Sequence, residues 1–182
     1  QDERSEQVRA FLEEIVAMSP HLSLINVAAS RQPSFTIAQA GQTGRVQFAG
    51  LPLGHEFTSF VLALLQVSGR APKVEDAVIK RIQAIKQPLH FETYVSLTCH
   101  NCPDVVQALN TMAVLNPTIS HTMVEGGMFR QEVEGKKIMA VPTVFLNGEE
   151  FANGRMTIEQ LLDKISGPTS SEEFDKKEPF DV

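Results

Sequence analysis

The sequence predicts an α/β protein made of two similar units, each with a central mixed β-sheet flanked by helices. Segments with the apolar spacing of helices alternate along the chain with short segments typical of strands. A strand–turn–strand–helix pattern occurs twice, and the second copy follows a strand that leads into Cys99-His100-Asn101-Cys102. With 182 residues and 42% hydrophobic content, the chain is long enough to bury the core that such a fold requires.

The first half is predicted to contain two helices and three short strands. Apolar residues recur at helical spacing over 6–16 and again over 54–67. Strands are predicted at 22–27, 34–38 and 45–49, and turn residues separate the last two.

The second half is predicted to run β-α-β-α-β-β-α after a helix that Pro72 opens and that ends near Lys86. The strands are expected at 89–96, 119–124 and 143–146, with a further strand after the turn at Gly148. The helices are expected from 99 or 100 to 115, over 127–133 and over 157–165.

The two copies of the repeat align on a proline and on a later Phe-Ala pair. Pro33-Ser34-Phe35-Thr36-Ile37 corresponds to Pro142-Thr143-Val144-Phe145-Leu146, and a turn, a second strand and a helix follow each. We therefore predict a first unit at 1–70, without cysteines and shortened at its N-terminus, and a second unit at 71–167. Residues 168–182 have the Pro, Ser and mixed-charge composition of a linker to another domain.

Composition argues against several classes of function. The net charge is −6 and no run of Lys or Arg exceeds two residues, so a nucleic-acid partner is not expected. No apolar run approaches the roughly 18 residues of a membrane span, and no leader sequence is visible, so we expect a soluble protein in the cytoplasm. Both cysteines lie in one CxxC, which indicates redox or metal chemistry rather than a disulfide scaffold.

A CxxC that closes a strand and opens a helix is the layout of the thioredoxin fold. Free backbone N–H groups and the helix dipole at such a helix N-terminus stabilise a thiolate, and can lower a cysteine pKa from about 8.5 to roughly 3.5–7.5. Cys99 is therefore the predicted nucleophile. Cys102, within one turn, is the predicted resolving thiol that attacks the mixed disulfide and releases the partner.

Supporting roles are predicted for neighbours of the pair. His100 could stabilise the thiolate when it is protonated and Asn101 could donate hydrogen bonds, or both could be solvated residues of the first turn. Val141-Pro142-Thr143 lies about 40 residues after Cys102, where a cis X-Pro bond would present a backbone edge to a substrate. The alternative there is an ordinary proline that begins a strand. Zinc is the alternative for the CxxC, but it needs two further ligands that no His spacing suggests.

The acid that assists the resolving thiol is not where thioredoxins have it. They carry a buried carboxylate six residues before the first cysteine, and here that residue is Thr93. Glu56 is the candidate, because helical spacing puts it on the apolar stripe with Phe60, where loss of solvent would raise its pKa. A first-turn Glu favoured by the helix dipole is the alternative interpretation.

Four motifs resemble the N-terminal domain of the flavoprotein subunit of bacterial alkyl hydroperoxide reductase. They are Gly54-His55-Glu56-Phe57-Thr58-Ser59, Phe91-Glu92-Thr93-Tyr94, CHNCPDVVQALN at 99–110, and Val141-Pro142. The trailing Phe180-Asp181-Val182 fits the start of that family's FAD-binding part.

The resemblance implies two fused thioredoxin-like units with one redox centre. Electrons from NADH would pass through FAD and a second CxxC, both outside this fragment, to Cys99 and Cys102. From there they would reach the disulfide of a two-cysteine peroxiredoxin that detoxifies hydroperoxides. The resemblance also implies an acid/base role for Glu56, contact with the protein's own C-terminal flavoprotein domain, a homodimeric full-length protein, and no use of NADH by this fragment alone.

Two other functions stay open at this point. A general protein disulfide oxidoreductase with two thioredoxin-like units would carry the same CxxC without preferring a peroxiredoxin. A zinc or peptide-binding module, which is not an enzyme, is the third possibility.

Overall fold

The computed structural model describes residues 2–166. Six α-helices occur in this range: α1 Glu3–Ala17, α2 Phe57–Val67, α3 Asp76–Gln83, α4 Cys102–Leu115, α5 Arg130–Gly135 and α6 Ile158–Ser166. A 3₁₀ turn, Gly54–Glu56, immediately precedes α2. The six strands are β1 Ser34–Ile37, β2 Val46–Ala49, β3 Leu89–Val95, β4 Ile119–Glu125, β5 Thr143–Leu146 and β6 Glu149–Asn153. The predicted linker at 168–182 lies outside the described residues.

All six strands form one mixed sheet in the order β1-β2-β4-β3-β5-β6. The β1-β2 and β5-β6 hairpins are antiparallel, β2 and β3 run parallel to β4, and β5 runs antiparallel to β3. The predicted α/β class and mixed sheet flanked by helices are confirmed. The sheets expected for the two halves are joined at the β2–β4 pair into a single sheet, while the boundary at residue 70 stays a prediction.

The two hairpins are built in the same way. Pro33 precedes β1 and Pro142 precedes β5, and each follows a cis peptide bond. The Gly50 N–H donates to the Pro33 carbonyl at 2.9 Å, and the Gly154 N–H donates to the Pro142 carbonyl at the same distance. Both glycines have positive φ, at +103° and +77°, so their lack of a Cβ suits the position just after the second strand, at the end of each hairpin opposite its turn. The structure thus reproduces the repeat that the sequence suggests.

The main core lies on the helical face that α2 and α4 cover. Phe48 of β2, Phe60 of α2 and Leu109 of α4 are almost completely buried in it. The Phe60 ring meets the Phe48 ring edge-on at 6.0 Å and the Phe11 ring of α1 at 5.1 Å. Helices and strands from both halves therefore share one hydrophobic core, and its burial is the main force that holds them together.

A half-buried charge cluster fixes the segment before β1 to the opposite face of the sheet. The Arg31 guanidinium bridges the carboxylates of Glu92 on β3 and Glu132 on α5, with the Glu132 Oε1 at 2.9 Å. The Tyr94 hydroxyl also donates to Glu132, at 2.9 Å. A guanidinium can serve two carboxylates at once because its donors are spread over a rigid planar fork.

The strand predicted at 22–27 is wrong, since these residues adopt no regular secondary structure. Ile25 and Val27 are 77% and 80% exposed. A strand is stable only when a neighbouring strand satisfies its backbone groups, and this segment runs outside the sheet in the connection from α1 to β1.

Three predicted helices begin later than expected. The helix after Pro72 covers only Asp76–Gln83, and α4 begins at Cys102 rather than at 99 or 100. The Cys99 N–H instead closes a turn by donating to the Ser96 carbonyl at 3.1 Å. The helix predicted at 127–133 begins at Arg130, because the Glu125 carboxylate accepts the N–H groups of Gly127 and Met128 in a turn.

Candidate active site

The two cysteines form a disulfide at the junction between β3 and α4. Their Cα atoms are 5.6 Å apart, and Cys102 is the first residue of the helix. Cys102 is completely buried whereas Cys99 is only partly so. Because its sulfur is bonded to that of Cys102, Cys99 still lies at the helix N-terminus, and it is the cysteine that a partner disulfide could reach.

The segment before β5 faces the exposed side of the disulfide. The Val141 carbonyl oxygen lies 3.9 Å from the Cys99 Sγ, and Val141 itself is 37% exposed. The Val141-Pro142 bond is cis, as predicted, and Pro142 is buried. Thr143 holds the segment in place, since its hydroxyl donates to the Ala140 carbonyl at 2.7 Å. These contacts put an accessible backbone carbonyl beside the reactive sulfur.

His100 and Asn101 lie on the surface between the cysteines. The His100 ring packs against the ring of His55, with 4.3 Å between centroids. Asn101 occupies the N-cap position of α4, but its side chain makes no capping hydrogen bond. For His55 the sequence offers only one signal, its place next to Glu56.

A close backbone contact docks the 3₁₀ turn of the first half on the loop before Cys99. The His55 N–H donates to the Leu97 carbonyl at 3.0 Å. Gly54 has φ of +57°, and a Cβ there would lie 2.6 Å from the same carbonyl oxygen. Only glycine combines that conformation with so close an approach. The turn also packs against α4, so it lies beside both parts of the cysteine motif.

Glu56 is completely buried on this turn. The Ser59 hydroxyl donates to its Oε1 at 3.3 Å, while its Oε2 has no hydrogen-bond partner among the described residues. Burial raises the pKa of Glu56 to about 7, and the Ser59 hydrogen bond opposes this increase. Burial thus moves this pKa into the range in which a carboxyl can both accept and release a proton near neutral pH.

Thr93 belongs to a second buried polar group, which contains no charge. Its Oγ1 lies 2.7 Å from the Nε2 of His121 on β4, and the His121 Nδ1 lies 2.7 Å from the Asn110 Oδ1 on α4. Burial lowers the pKa of His121 to about 3, so the ring is neutral. The sequence analysis did not single out His121, although a histidine at a buried position of a strand was a visible signal.

No three His, Cys, Asp or Glu side chains within residues 2–166 gather into a metal site. In the same range, no helix is both long and apolar enough to cross a membrane.

Comparisons with known proteins agree with this geometry. Residues 89–166 match the model of the thioredoxin domain family. The whole chain is 56% identical to a Bacillus subtilis protein named NADH dehydrogenase, of which it covers 36%. It is 55% identical over 181 residues to an alkyl hydroperoxide reductase subunit of Staphylococcus aureus, of which it covers 35%. The chain thus spans about a third of the length of these relatives.

Two solved structures are also similar. A protein disulfide oxidoreductase from Aeropyrum pernix has a TM-score of 0.64 and 27% identity, over 74% of this chain and 58% of that one. The N-terminal NTD_N/C domain of the alkyl hydroperoxide reductase from Enterococcus faecalis has a TM-score of 0.83 and 30% identity. That match covers 91% of this chain and 86% of the other. The chain therefore belongs to the family of N-terminal domains of the alkyl hydroperoxide reductase flavoprotein subunit.

Proposed function

We propose that the chain carries electron pairs as a dithiol from a flavoprotein disulfide reductase module to the disulfide of a two-cysteine peroxiredoxin. The observation that supports this most is the Cys99–Cys102 disulfide, with one sulfur accessible and the other buried at a helix N-terminus. In this proposal FAD and NADH act in the C-terminal part of the full-length protein, and hydroperoxide detoxification is the purpose of the electron flow.

The reaction begins with the reduced chain. The Cys99 thiolate attacks one sulfur of the partner disulfide, which forms a mixed disulfide and expels the first partner thiolate. Cys102 then loses its proton and attacks the Cys99 Sγ, which reforms the internal disulfide and releases the second partner thiolate. Two electrons pass to the partner, which leaves as two thiolates that take up protons from water. The flavoprotein module would run the same two exchanges in reverse to restore the dithiol.

Three other groups have proposed roles in this cycle. Glu56 accepts the proton from Cys102 when the partner is released and returns it when the chain is reduced. The Val141 carbonyl accepts a backbone N–H of the partner's cysteine segment, so that Val141, Pro142 and Thr143 form the binding edge. His100, when protonated, favours the Cys99 thiolate, and Asn101 donates hydrogen bonds to the bound segment.

The one Gly-Gly pair among the described residues is not open to the phosphate of a flavin nucleotide. The Gly126-Gly127 pair after β4 resembles a phosphate-binding turn, but the Glu125 carboxylate already accepts the N–H of Gly127 at 2.8 Å and that of Met128 at 3.0 Å. In this proposal, electrons from FAD reach this chain from another part of the full-length protein.

Partner reduction tests the proposal directly. The reduced chain is mixed with an oxidised two-cysteine peroxiredoxin, and the loss of the peroxiredoxin disulfide is followed by thiol labelling and mass spectrometry. We expect stoichiometric transfer, and none with Cys99→Ser. Glu56→Gln should slow transfer near pH 7 while leaving the fold intact. If the wild-type chain failed to reduce the peroxiredoxin, the proposal would fall.

A second candidate is a general protein disulfide oxidoreductase. The similarity to the Aeropyrum pernix structure favours it, because the likeness extends over both halves of this chain. Insulin reduction separates the two functions: a rate comparable to that with the peroxiredoxin would support the general activity, and a much lower one the specific activity.

We also propose a cytoplasmic location and a homodimeric full-length protein that docks this domain against its own flavoprotein part. Gel filtration with light scattering on the full-length protein tests the dimer.

A further inference from the structure

A buried hydrogen-bond chain links α4 to the carboxyl of Glu56. The Gln107 Nε2 donates to the Ser59 Oγ at 3.1 Å, and the Ser59 hydroxyl donates to the Glu56 Oε1 at 3.3 Å. Glu56 and Ser59 are both completely buried. Gln107 lies on α4, the helix that begins at Cys102. These hydrogen bonds therefore connect the predicted acid to the helix that carries the predicted resolving cysteine.

The chemistry of the three groups fixes the direction of these bonds. A side-chain amide nitrogen can only donate, so the Ser59 oxygen accepts from Gln107. The single proton of the Ser59 hydroxyl is then free to point at the carboxyl of Glu56. A hydroxyl that donates to a carboxylate stabilises its charged form. Gln107 therefore acts on Glu56 through the orientation of Ser59.

We propose that Ser59 and Gln107 are positioning residues for Glu56, which link its carboxyl to α4 and favour its charged form. This inference rests on the proposed acid/base role of Glu56 for its effect on rate. Its effect on the carboxyl itself can be measured separately.

Few other titratable groups lie on the elements around Glu56. They are His55 of the 3₁₀ turn, His100 of the adjoining loop and Asp104 of the first turn of α4. Cys99 and Cys102 do not titrate while they form the disulfide. Asp104 is turned to an ion pair with Arg155 at 2.7 Å. Helix α2 contributes none, because Phe57–Val67 contains no titratable residue. Burial and the Ser59 hydrogen bond are the causes that act on the Glu56 pKa.

Gln107 is the end of this hydrogen-bond series that lies nearest the solvent. It is only partly buried and lines a groove of about 510 Å³ between α2, α4 and α6. A substitution at Gln107 therefore disturbs the packed core less than one at Ser59. This makes Gln107→Met a second probe of the same chain, should Ser59→Ala fold poorly.

The pKa of Glu56 provides the first test. It is measured by carbon-13 NMR on the oxidised chain with labelled glutamate, and the Glu56 signal is assigned by its loss in Glu56→Gln. Ser59→Ala should raise this pKa by about 0.5 to 1, and Gln107→Met should shift it in the same direction by less. Thr58→Ala, at an exposed position of the same helix, is the matched control and should leave it unchanged. An unaltered pKa in both Ser59→Ala and Gln107→Met would overturn the inference.

The rate of the resolving step provides the second test. The reduced chain reacts with a chromogenic aromatic disulfide, dithiobis(nitrobenzoate), and the second release of thiol reports the attack by Cys102. With a pKa near 7 that rises by about 0.5 to 1, the charged fraction of Glu56 at pH 7 falls roughly two- to fivefold. The second release should slow by that factor at pH 7 and recover at high pH. A shifted pKa with unchanged rates would uphold the positioning role and refute the acid/base role of Glu56.

Discussion

Replacing Glu56 with Gln should change how stability depends on pH, whether or not the residue takes part in the reaction. Burial raises the pKa of this carboxyl from 4.5 to about 7. The folded chain therefore holds a proton between these pH values that the unfolded chain has already released. By linkage, the wild-type protein must lose stability as the pH rises through this window.

The size of the effect follows from the same shift. The two pKa values differ by about 2.5. Since one pKa unit corresponds to 1.36 kcal/mol, the difference amounts to about 3 kcal/mol of stability. This stability is fully present below pH 4.5 and is lost by pH 7 to 8. A glutamine at the same place has no proton to lose. The free energy of unfolding of Glu56→Gln minus that of the wild type should thus rise by about 3 kcal/mol from pH 4.5 to 8.

Urea unfolding of the oxidised chain, at half-unit steps from pH 4.5 to 8, measures this difference. The disulfide is kept intact so that the cysteines do not titrate. Glu13→Gln, on the exposed face of α1, is the matched control, and its difference from the wild type should stay flat. A flat difference for Glu56→Gln as well would refute the burial of a carboxyl with a raised pKa.

Three further predictions concern other parts of the molecule. Cys102→Ser should still attack a partner disulfide through Cys99 but should accumulate as a stable mixed disulfide, seen by mass spectrometry; free partner thiol without accumulation would contradict the assigned order of attack. The pKa of His121 is lowered from 6.5 to about 3. As the pH falls between these two values, the wild type should lose up to about 1.4 kcal/mol of stability for each pH unit relative to His121→Gln; a stability difference that does not change with pH would be the contrary result. Arg31→Met should lower the free energy of unfolding in urea by about 1–2 kcal/mol, because it leaves two half-buried carboxylates without their cation. The exposed Arg155→Met should lower it by less than about 1 kcal/mol. Equal losses would argue against the burial of the Arg31 cluster.

The sequence predicts the cysteine site well because its signals are local. A strand, two cysteines and a helix follow one another within about 25 residues. The proline at 142 and the repeat of its hairpin at 33 depend likewise on short patterns. Each of these features is set by neighbouring residues, and the structure contains all of them.

The errors concern features that depend on distant parts of the chain. Residues 22–27 have the composition of a strand, but a strand forms only where a sheet edge is available to pair with it. Likewise α4 begins at Cys102 because Cys99 closes a turn with Ser96. Composition reveals neither outcome, since each depends on which backbone groups are close enough to pair in the folded protein.

Glu56 depends on both a local pattern and a distant contact. Its spacing with Phe60 suggested a stripe on one helix, but the residue belongs to a 3₁₀ turn that precedes α2. That turn docks on Leu97, about 40 residues further along the chain, and packs against α4, and Glu56 is buried there. A contact of this kind cannot be read from periodicity, which is why the sequence alone left a solvated first-turn Glu as an alternative.

The half without cysteines supports the candidate site in two physical ways. It supplies Glu56 and the Gly54 contact that orders the loop before Cys99. It also supplies β2, which pairs with β4 and covers the edge that would otherwise expose unpaired backbone groups beside His121. A second unit cut off at residue 71 would lose the buried carboxyl and gain an open sheet edge at once. The two halves therefore share one core and one sheet, and the proposed acid lies in the half that has no cysteine.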